Sequence, residues 1–289
     1  MTPAFLERFI LETLGLTKLP QYLPVFYLSL FGFTLVHLVL APYFSARIAP
    51  QSWGALKTRK ARNNWSIHVV SQVHVLIIVP MALWCIWHEG PETEQNRAFG
   101  WDDRIGYPYA VACGYFVWDT FDAIYNFVDT GFVIHGVACT LIYSMSFRPF
   151  VAYYGTRCLL WEISTFFLNI HWFLDKTNRT GSTFQLVNGI LLLFTFFSVR
   201  MVYGGSISYQ FFITLLGIWR QIPWPYTLIF GGGNFALQGL NWLWFSKMIA
   251  AIRKRFSEDE ERKQLIPQEN AENGVGNGSG NGAGAVALQ

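Results

Sequence analysis

Residues 65–87 read WSIHVVSQVHVLIIVPMALWCIW, and none of these 23 residues is Asp, Glu, Lys or Arg. An α-helix rises about 1.5 Å per residue, so about 20 apolar residues cross the ~30 Å hydrocarbon core of a bilayer. The run is therefore predicted to be a transmembrane helix. The whole chain is 52% hydrophobic and 13% charged, against about 25% charged in an average soluble protein. This composition excludes a soluble globular domain.

Similar apolar stretches lie on both sides of this run, and they predict an all-α membrane protein with about seven transmembrane helices. The predicted spans are residues 22–44, 65–87, 107–127, 132–147, 150–173, 182–203 and 226–250. Only Arg148 and Pro149 separate the fourth span from the fifth, which predicts a tight helical hairpin. The apolar patch 209–219 is too short to cross a bilayer, so we expect it to lie at the interface or to re-enter the membrane.

Basic residues in short loops predict the orientation, because Lys and Arg are retained on the cytosolic side. The loop after the first span contains Arg47, Lys57, Arg59, Lys60 and Arg62, and Arg253, Lys254 and Arg255 follow the last span. The loop after the second span is mainly acidic. The N-terminus is therefore expected to be lumenal and the C-terminus cytosolic. Residues 257–289 are charged and then rich in Asn, Gly and Ala, which predicts a disordered cytosolic tail.

Charge and cysteine content argue against several kinds of partner. The net charge of +3 is small and concentrated near the ends of spans, so no nucleic acid is expected to bind. The four cysteines all lie in predicted spans and are expected to be free thiols: Cys85, Cys113, Cys139 and Cys158. No HExxH motif and no Cys or His cluster indicates a metal, and no cofactor is expected.

Polar residues inside the spans are the best guide to a site, since an ionised side chain costs roughly 2.5 to 3.5 kcal/mol at a helix centre. Helical spacing places them in stripes on four spans: Ser71 and His74; Asp119, Asp122 and Asn126; Glu162, Thr165 and Asn169; Asn234, Gln238 and Asn241. Such stripes cannot all face lipid, so they predict a polar cavity inside a helical bundle.

Hydrogen bonds between helices are the simpler explanation for the amide side chains, and we favour it for Asn169, Asn188, Asn234 and Gln238. Glu162 is costlier to bury, so we expect either that desolvation raises its pKa or that it pairs with a cation, for which Arg157 and Arg200 are available. A histidine such as His135 becomes a candidate for proton transfer when a carboxylate lies within reach.

Several of these residues also carry a resemblance to a known family. The matching pieces are Asn63-Asn64-Trp65, Val70 to His74, Gly114-Tyr115-Phe116 with Asp119, Ile134-His135, Trp161 to Thr165, Asn188-Gly189, Arg200, and Leu240-Asn241. In this order they resemble the TLC domain over roughly residues 57–255. That family includes the ceramide synthases and a larger set of endoplasmic-reticulum proteins implicated in lipid metabolism, sensing or trafficking. The chain looks more like the second group.

The resemblance implies a six-helix barrel at residues 57–256, preceded by an N-terminal segment, residues 1–56, that carries the first transmembrane helix. In the synthases two adjacent histidines are thought to move an acyl group from coenzyme A to a long-chain amine. The first of these positions matches His135, but the second is Gly136. The candidate catalytic residues are thus His135, Glu162 and Asp119, and the candidate cavity-lining residues are His74, Asp122, Asn169, Asn188 and Asn241.

The sequence leaves more than one function open. We favour a protein of the endoplasmic reticulum that acts in lipid homeostasis, with membrane lipids as partners and a cavity that binds lipid or acyl chains. The alternative is an acyltransferase of the ceramide-synthase type with acyl-coenzyme A as co-substrate. A seven-span receptor fits less well, because the predicted cytosolic loops are short. A transporter also fits less well, because the chain has no matching halves.

Overall fold

The computed structural model describes residues 8–275, with the side chains of residues 8 and 10–254. Over this range the chain is helical and contains no strand. The helices are α1 (Leu19–Ile48), α2 (Pro50–Ala55), α3 (Arg59–His88), α4 (Pro91–Gln95), α5 (Gly106–Tyr125), α6 (Thr130–Met145), α7 (Ala152–Cys158), α8 (Glu162–Lys176), α9 (Thr183–Ile218), α10 (Trp224–Tyr226) and α11 (Gly233–Val275). A 3₁₀ turn, Leu159–Trp161, joins α7 to α8, and π-helical turns occur at Phe9–Thr13, Val36–Leu40, Phe197–Tyr203 and Thr227–Gly232.

Three of these helices are long and apolar enough to cross a membrane. They are α1 and α3, with 30 residues each, and α9, with 36 residues. The described residues thus confirm an all-helical protein with apolar helices of membrane-spanning length, three of which meet this criterion. The apolar patch that was expected at the interface does not form a separate segment, because α9 continues through it to Ile218. The π-helical turn Phe197–Tyr203 keeps the backbone hydrogen-bonded up to Gly204, so nothing ends the helix there.

Helix α1 packs closely against α5 where α5 carries small residues. The Ser29 hydroxyl donates a hydrogen bond to the carbonyl of Val111 at 2.7 Å. A Cβ atom at Gly114 would lie 2.6 Å from the Ser29 side chain, and one at Gly106 would lie 2.0 Å from the Tyr22 ring. Small residues allow such backbone approach in membranes. Glycine is therefore required at both contacts.

The loop between α4 and α5 is fixed to the start of α1 through Asp103. The Tyr22 hydroxyl donates to the Asp103 carbonyl at 2.6 Å, and the Lys18 ammonium lies 3.3 Å from its carboxylate. The Trp101 indole N–H also donates to this carboxylate, at 2.8 Å. The indole N–H, together with Lys18, holds the pKa of Asp103 below its usual value. These contacts anchor the end of the bundle at which α1 begins.

The chain divides into two compact units, Met1–Trp242 and Leu243–Gln289. The described part of the first unit has an aromatic core whose largest fully buried side chains include Tyr109, Phe147, Phe150 and Phe230. In the second unit the described residues continue α11 to Val275. Residues 257–275 of the predicted tail are therefore helical, and residues 276–289 lie outside the described residues.

Candidate functional site

Arg200 lies at the centre of a buried polar network. It stands on the π-helical turn within α9, and only 5% of its surface is exposed. Its guanidinium donates from Nε to the Trp161 carbonyl (3.2 Å) and Ser164 Oγ (2.8 Å), from Nη1 to Asn241 Oδ1 (3.1 Å), and from Nη2 to Thr165 Oγ1 (3.0 Å) and Glu162 Oε1 (3.4 Å). We call these residues the Arg200 network. Each of the three guanidinium nitrogens has a partner, so the buried charge is well satisfied.

Glu162 supplies the negative charge of this network. It opens α8 and is itself buried. Its ion-pair partner is Arg200, whereas Arg157 pairs with Glu89. Of the alternatives that the sequence left for Glu162, the structure shows pairing with a cation, and that cation is Arg200.

The network continues along α11 toward α9. Asn241 donates to the side-chain oxygen of Gln238 at 3.5 Å, and Gln238 donates to Ser208 Oγ at 2.8 Å. Two residues of the predicted stripe on α11 therefore bond to each other and to α9. The chain of bonds runs from Trp161, at the end of the 3₁₀ turn, to Ser208 on α9, so these polar groups link α8, α9 and α11.

A small cavity adjoins the network. Its volume is about 60 Å³, and its polar lining includes His135, Glu162 and Asn234 among mainly apolar side chains such as Phe116 and Leu237. One water needs at least about 10 to 15 Å³ of such space. In this conformation the cavity accommodates a few waters and no lipid.

His135 lines this cavity together with Glu162. Its Nε2 lies 3.8 Å from Cys139 Sγ, and its ring meets the Phe116 ring edge-on at 5.9 Å. Arg200 lies within electrostatic range of the imidazole. His135 and Glu162 therefore line one cavity, and Arg200 donates to the Glu162 carboxylate at its edge.

Gly136 takes the position of the second histidine of the synthases, and it faces a neighbouring helix. A Cβ atom there would lie 2.7 Å from Thr120 Oγ1 and 3.2 Å from Thr120 Cα. A contact with a Cα atom cannot be relieved by turning a side chain. The close packing of α5 and α6 therefore leaves no room for a histidine at this position.

The two candidate aspartates of α5 lie in different surroundings. Asp122 accepts hydrogen bonds from Asn63 at 3.1 and 3.2 Å and from Asn126 at 2.8 Å. Asp119 lies within electrostatic range of both Asp122 and Glu162. Among the described residues Asp119 makes no hydrogen bond and no ion pair. The stripe predicted on α5 is therefore divided, because Asp122 is hydrogen-bonded to Asn63 and Asn126 and Asp119 is not part of that cluster.

His74 occupies an aromatic pocket. It is fully buried and stacks on Tyr115 with ring centroids 3.6 Å apart, while the rings of Phe33 and Phe116 meet it edge-on. Neither ring nitrogen has a hydrogen-bond partner within the described part of the chain. The surroundings of this histidine are thus apolar, and it does not line the cavity beside His135.

Asn169 and Asn188 join helices. Asn169 donates to Ser71 Oγ at 3.1 Å and bonds through its oxygen to His68 Nδ1 at 3.0 Å, which ties α8 to α3. Asn188 donates to the Phe167 carbonyl at 2.9 Å, which ties α9 to α8. Both side chains make the interhelical bonds that the simpler explanation of the sequence favoured.

A second and larger cavity lies where the end of α1, helix α2, the start of α3 and the end of α5 meet. Its volume is about 820 Å³, and we call it the basic groove because Lys57, Arg59 and Arg62 line it. His37 and Asn63 also line it and bond to each other at 2.9 Å. Sequence reasoning used the basic residues only for orientation and gave His37 no role. The sequence signal that could have indicated this groove is the presence of Trp53, Lys57, Arg59 and Arg62 within ten residues between two predicted spans.

Comparison with known proteins places this architecture in a family. The family model for the TLC domain matches residues 64–250. The chain belongs to the TLC domain family. A TLC domain-containing protein of Schizosaccharomyces pombe is 37% identical over 94% of each chain. Human TLC domain-containing protein 4 is 27% identical over 86% of this chain and 94% of its own. Topoisomerase I damage affected protein 4 of Saccharomyces cerevisiae is 25% identical over 77% of this chain and 81% of its own.

The TLC match covers all of the Arg200 network but only part of the basic groove. All residues of the Arg200 network fall within residues 64–250. The lining of the basic groove comes from both sides of the start of the match. Nine of its residues precede the match: His37, Leu38, Pro42, Trp53, Lys57, Thr58, Arg59, Arg62 and Asn63. The other six lie within it: Ser66, Trp118, Phe121, Asp122, Tyr125 and Asn126. The groove is thus built jointly by the TLC domain and the N-terminal segment.

Proposed function

We propose that this TLC-domain protein acts in lipid homeostasis in the endoplasmic-reticulum membrane, where polar groups inside the bilayer bind lipid or acyl chains. It crosses the membrane about seven times, with a lumenal N-terminus and a cytosolic C-terminus. The apolar helices, the family and the basic loop 47–62 support this arrangement. A tag at the C-terminus should be cytosolic and one inserted after Gln95 lumenal, and protease protection that places both on one side would contradict it.

The Arg200 network carries the functional part of the proposal. Ionised side chains inside membrane domains are expensive, and they commonly mark binding or transfer sites. A buried ion pair is often no more stabilising than an apolar pair of the same volume, so packing alone gives little reason to keep one. The Arg200–Glu162 pair adjoins a cavity whose other walls are mainly apolar. Polar groups beside an apolar cavity suit an amphiphile with a polar head and an apolar chain.

Binding rather than acyl transfer is the version that the geometry favours. The synthase motif is a pair of adjacent histidines, whereas here Gly136 lies against Thr120 where the second histidine would be needed. One observation supports the acyltransferase alternative, with acyl-coenzyme A as co-substrate: His135 and Glu162 line the same cavity. The cavity must enlarge for either function, through separation of the helices around it.

Lipid analysis of cells that lack the protein tests this proposal. We expect their membrane lipid composition to change and wild-type protein to restore it. Glu162→Gln keeps the shape and removes the charge, so it should reach the membrane but restore the composition less well. The matched control is Glu92→Gln, because Glu92 is an exposed carboxylate outside the network. An unchanged composition without the protein, or full restoration by Glu162→Gln, would contradict the proposal.

A further inference from the structure

The basic groove presents cations that no carboxylate neutralises. Among the described residues, Lys57, Arg59 and Arg62 form no salt bridge. Arg59 donates to the Tyr125 hydroxyl at 3.1 Å, and Arg62 Nε donates to the Leu56 carbonyl at 3.1 Å. The two Nη atoms of Arg62 and the Lys57 ammonium have no hydrogen-bond partner within the described part of the chain. These N–H groups can therefore donate hydrogen bonds to an anionic ligand without giving up a hydrogen bond within the protein.

One carboxylate also lines the groove, and its own bonds limit its effect. Asp122 receives hydrogen bonds on both oxygens from Asn63 and on one from Asn126. Three cationic side chains against one carboxylate leave the groove with a formal charge of +2. The amides of Asn63 and Asn126 therefore hold the Asp122 carboxylate in place. The net field attracts anions.

Exposed apolar side chains also form part of the walls of the groove. Leu38 on α1 is 66% exposed, and Phe121 and Tyr125 on α5 are 72% and 71% exposed. All three line the groove. Trp53 lies beneath Arg62, with its ring 5.7 Å from the guanidinium. Aromatic and basic residues at the end of a membrane helix are typical of the level of lipid headgroups.

We propose that the basic groove binds the phosphate-bearing headgroup of an anionic membrane lipid, whose acyl chains lie against the exposed apolar faces of α1 and α5. Guanidinium and ammonium groups are the usual protein ligands of phosphate. The volume of about 820 Å³ is within the range of ligand sites. A free phosphate or a soluble phosphate ester would use the same donors but would leave the apolar walls uncovered. The proposal stands apart from the Arg200 network and goes beyond the function proposed above.

Binding of fluorescent phosphatidic acid to the purified full-length protein in neutral detergent tests this proposal. We expect saturable binding that unlabelled phosphatidic acid displaces and phosphatidylcholine does not. Arg59→Gln/Arg62→Gln should weaken binding by at least tenfold, since each basic side chain near an anionic surface contributes about 1 kcal/mol, which is about fivefold. Asp122→Asn keeps the shape and removes the repelling charge, so it should strengthen binding severalfold.

Two matched controls make the result specific. Arg47→Gln/Lys60→Gln removes the same charge from the same loop, but neither residue lines the groove, so binding should stay within twofold of wild type. Glu92→Gln changes an exposed carboxylate outside both the groove and the Arg200 network, so it should also leave binding unchanged. Equal weakening by the control pair, equal displacement by phosphatidylcholine, or equal displacement by inorganic phosphate or coenzyme A would overturn the lipid site. If Arg59→Gln/Arg62→Gln does not fold, an Asp122→Asn variant that fails to bind more tightly overturns it.

Discussion

The Arg200 network and the basic groove are both polar, but their charges are satisfied to different degrees. In the network the guanidinium of Arg200 has five acceptors, and the adjoining cavity has a volume of about 60 Å³. In the groove Lys57, Arg59 and Arg62 form no salt bridge among the described residues, and the space is about 820 Å³. The first region is closed and saturated, whereas the second is open and has unused donors.

This difference separates two uses of charge near a membrane. A saturated buried pair holds helices in one arrangement, and breaking it leaves an isolated charge that is costly. Cations at the edge of a bundle remain solvated and contribute little to folding, so they are available to ligands. Loss of a basic side chain is therefore expected to lower stability strongly in the Arg200 network and only slightly in the basic groove.

Removal of Arg200 is expected to have the largest effect. Arg200→Met leaves the Glu162 carboxylate buried without its partner, which should cost about 3 to 5 kcal/mol of unfolding free energy. The measurement is thermal unfolding and abundance of the purified protein in detergent. Arg179→Met, at an exposed arginine, is the control and should stay near wild type. If both variants unfold at the wild-type temperature, Arg200 is not a structural centre.

Gly136→Ala is expected to have the next largest effect. Its Cβ would lie 3.2 Å from Thr120 Cα and 2.7 Å from Thr120 Oγ1, so α5 and α6 must separate, at a cost of about 1 to 3 kcal/mol. Gly205→Ala is the matched control, since nothing lies within 4 Å of a Cβ atom there. It should be neutral or slightly stabilising, because alanine favours a helix. Equal unfolding temperatures for the two variants would show that α6 does not need glycine at this contact.

Asn169→Ala should have an intermediate effect, because Asn169 is satisfied in the same way as the network. Its loss removes the bonds to Ser71 and His68, and interhelical bonds of this kind contribute about 0.6 to 2 kcal/mol each. Chemical unfolding of the variant and wild type in one detergent measures the difference. A change below the error of that measurement would mean that α3 and α8 do not depend on this side chain.

Lys57→Gln is expected to have the smallest effect on stability. Its ammonium has no hydrogen-bond or ion-pair partner within the described residues, so its loss should change the unfolding free energy by no more than about 0.5 kcal/mol. The same unfolding measurement applies. A loss comparable to that of Asn169→Ala would remove the distinction between saturated and open charges.

The sequence predicted the helices better than it predicted their partners. Apolar runs were enough to predict α3 as a span, and the cost of charge in a bilayer singled out Glu162 as either a carboxylate of raised pKa or a paired one; the structure shows the pair. Whether Arg157 or Arg200 is the partner depends on the three-dimensional contact between α8 and α9, because both arginines lie near the same ends of predicted spans. The continuation of α9 to Ile218 was missed, since a π-helical turn has no clear sequence signal.

The division of the α5 stripe could not be predicted either. Asp119 and Asp122 share one face of the helix, which suggested a single cavity. Asn63, which is distant in the chain, donates hydrogen bonds to Asp122, and both side chains line the basic groove. The pair of His37 and Asn63 likewise joins two helices whose contact no local pattern indicates. Glycine at position 136 was noted as a change from the synthase pair, but only the packing against Thr120 gives its physical reason.

The central claim, that the Arg200 network serves lipid binding without acyl transfer through His135, is tested most directly by an acyl-transfer assay. Purified protein is incubated with labelled acyl-coenzyme A and a long-chain amine, and wild type is compared with His135→Gln at matched amounts of folded protein. We expect both proteins to form no more amide than a sample without protein. Robust amide formation by wild type that is lost in His135→Gln would contradict the claim and establish His135 as a catalytic residue.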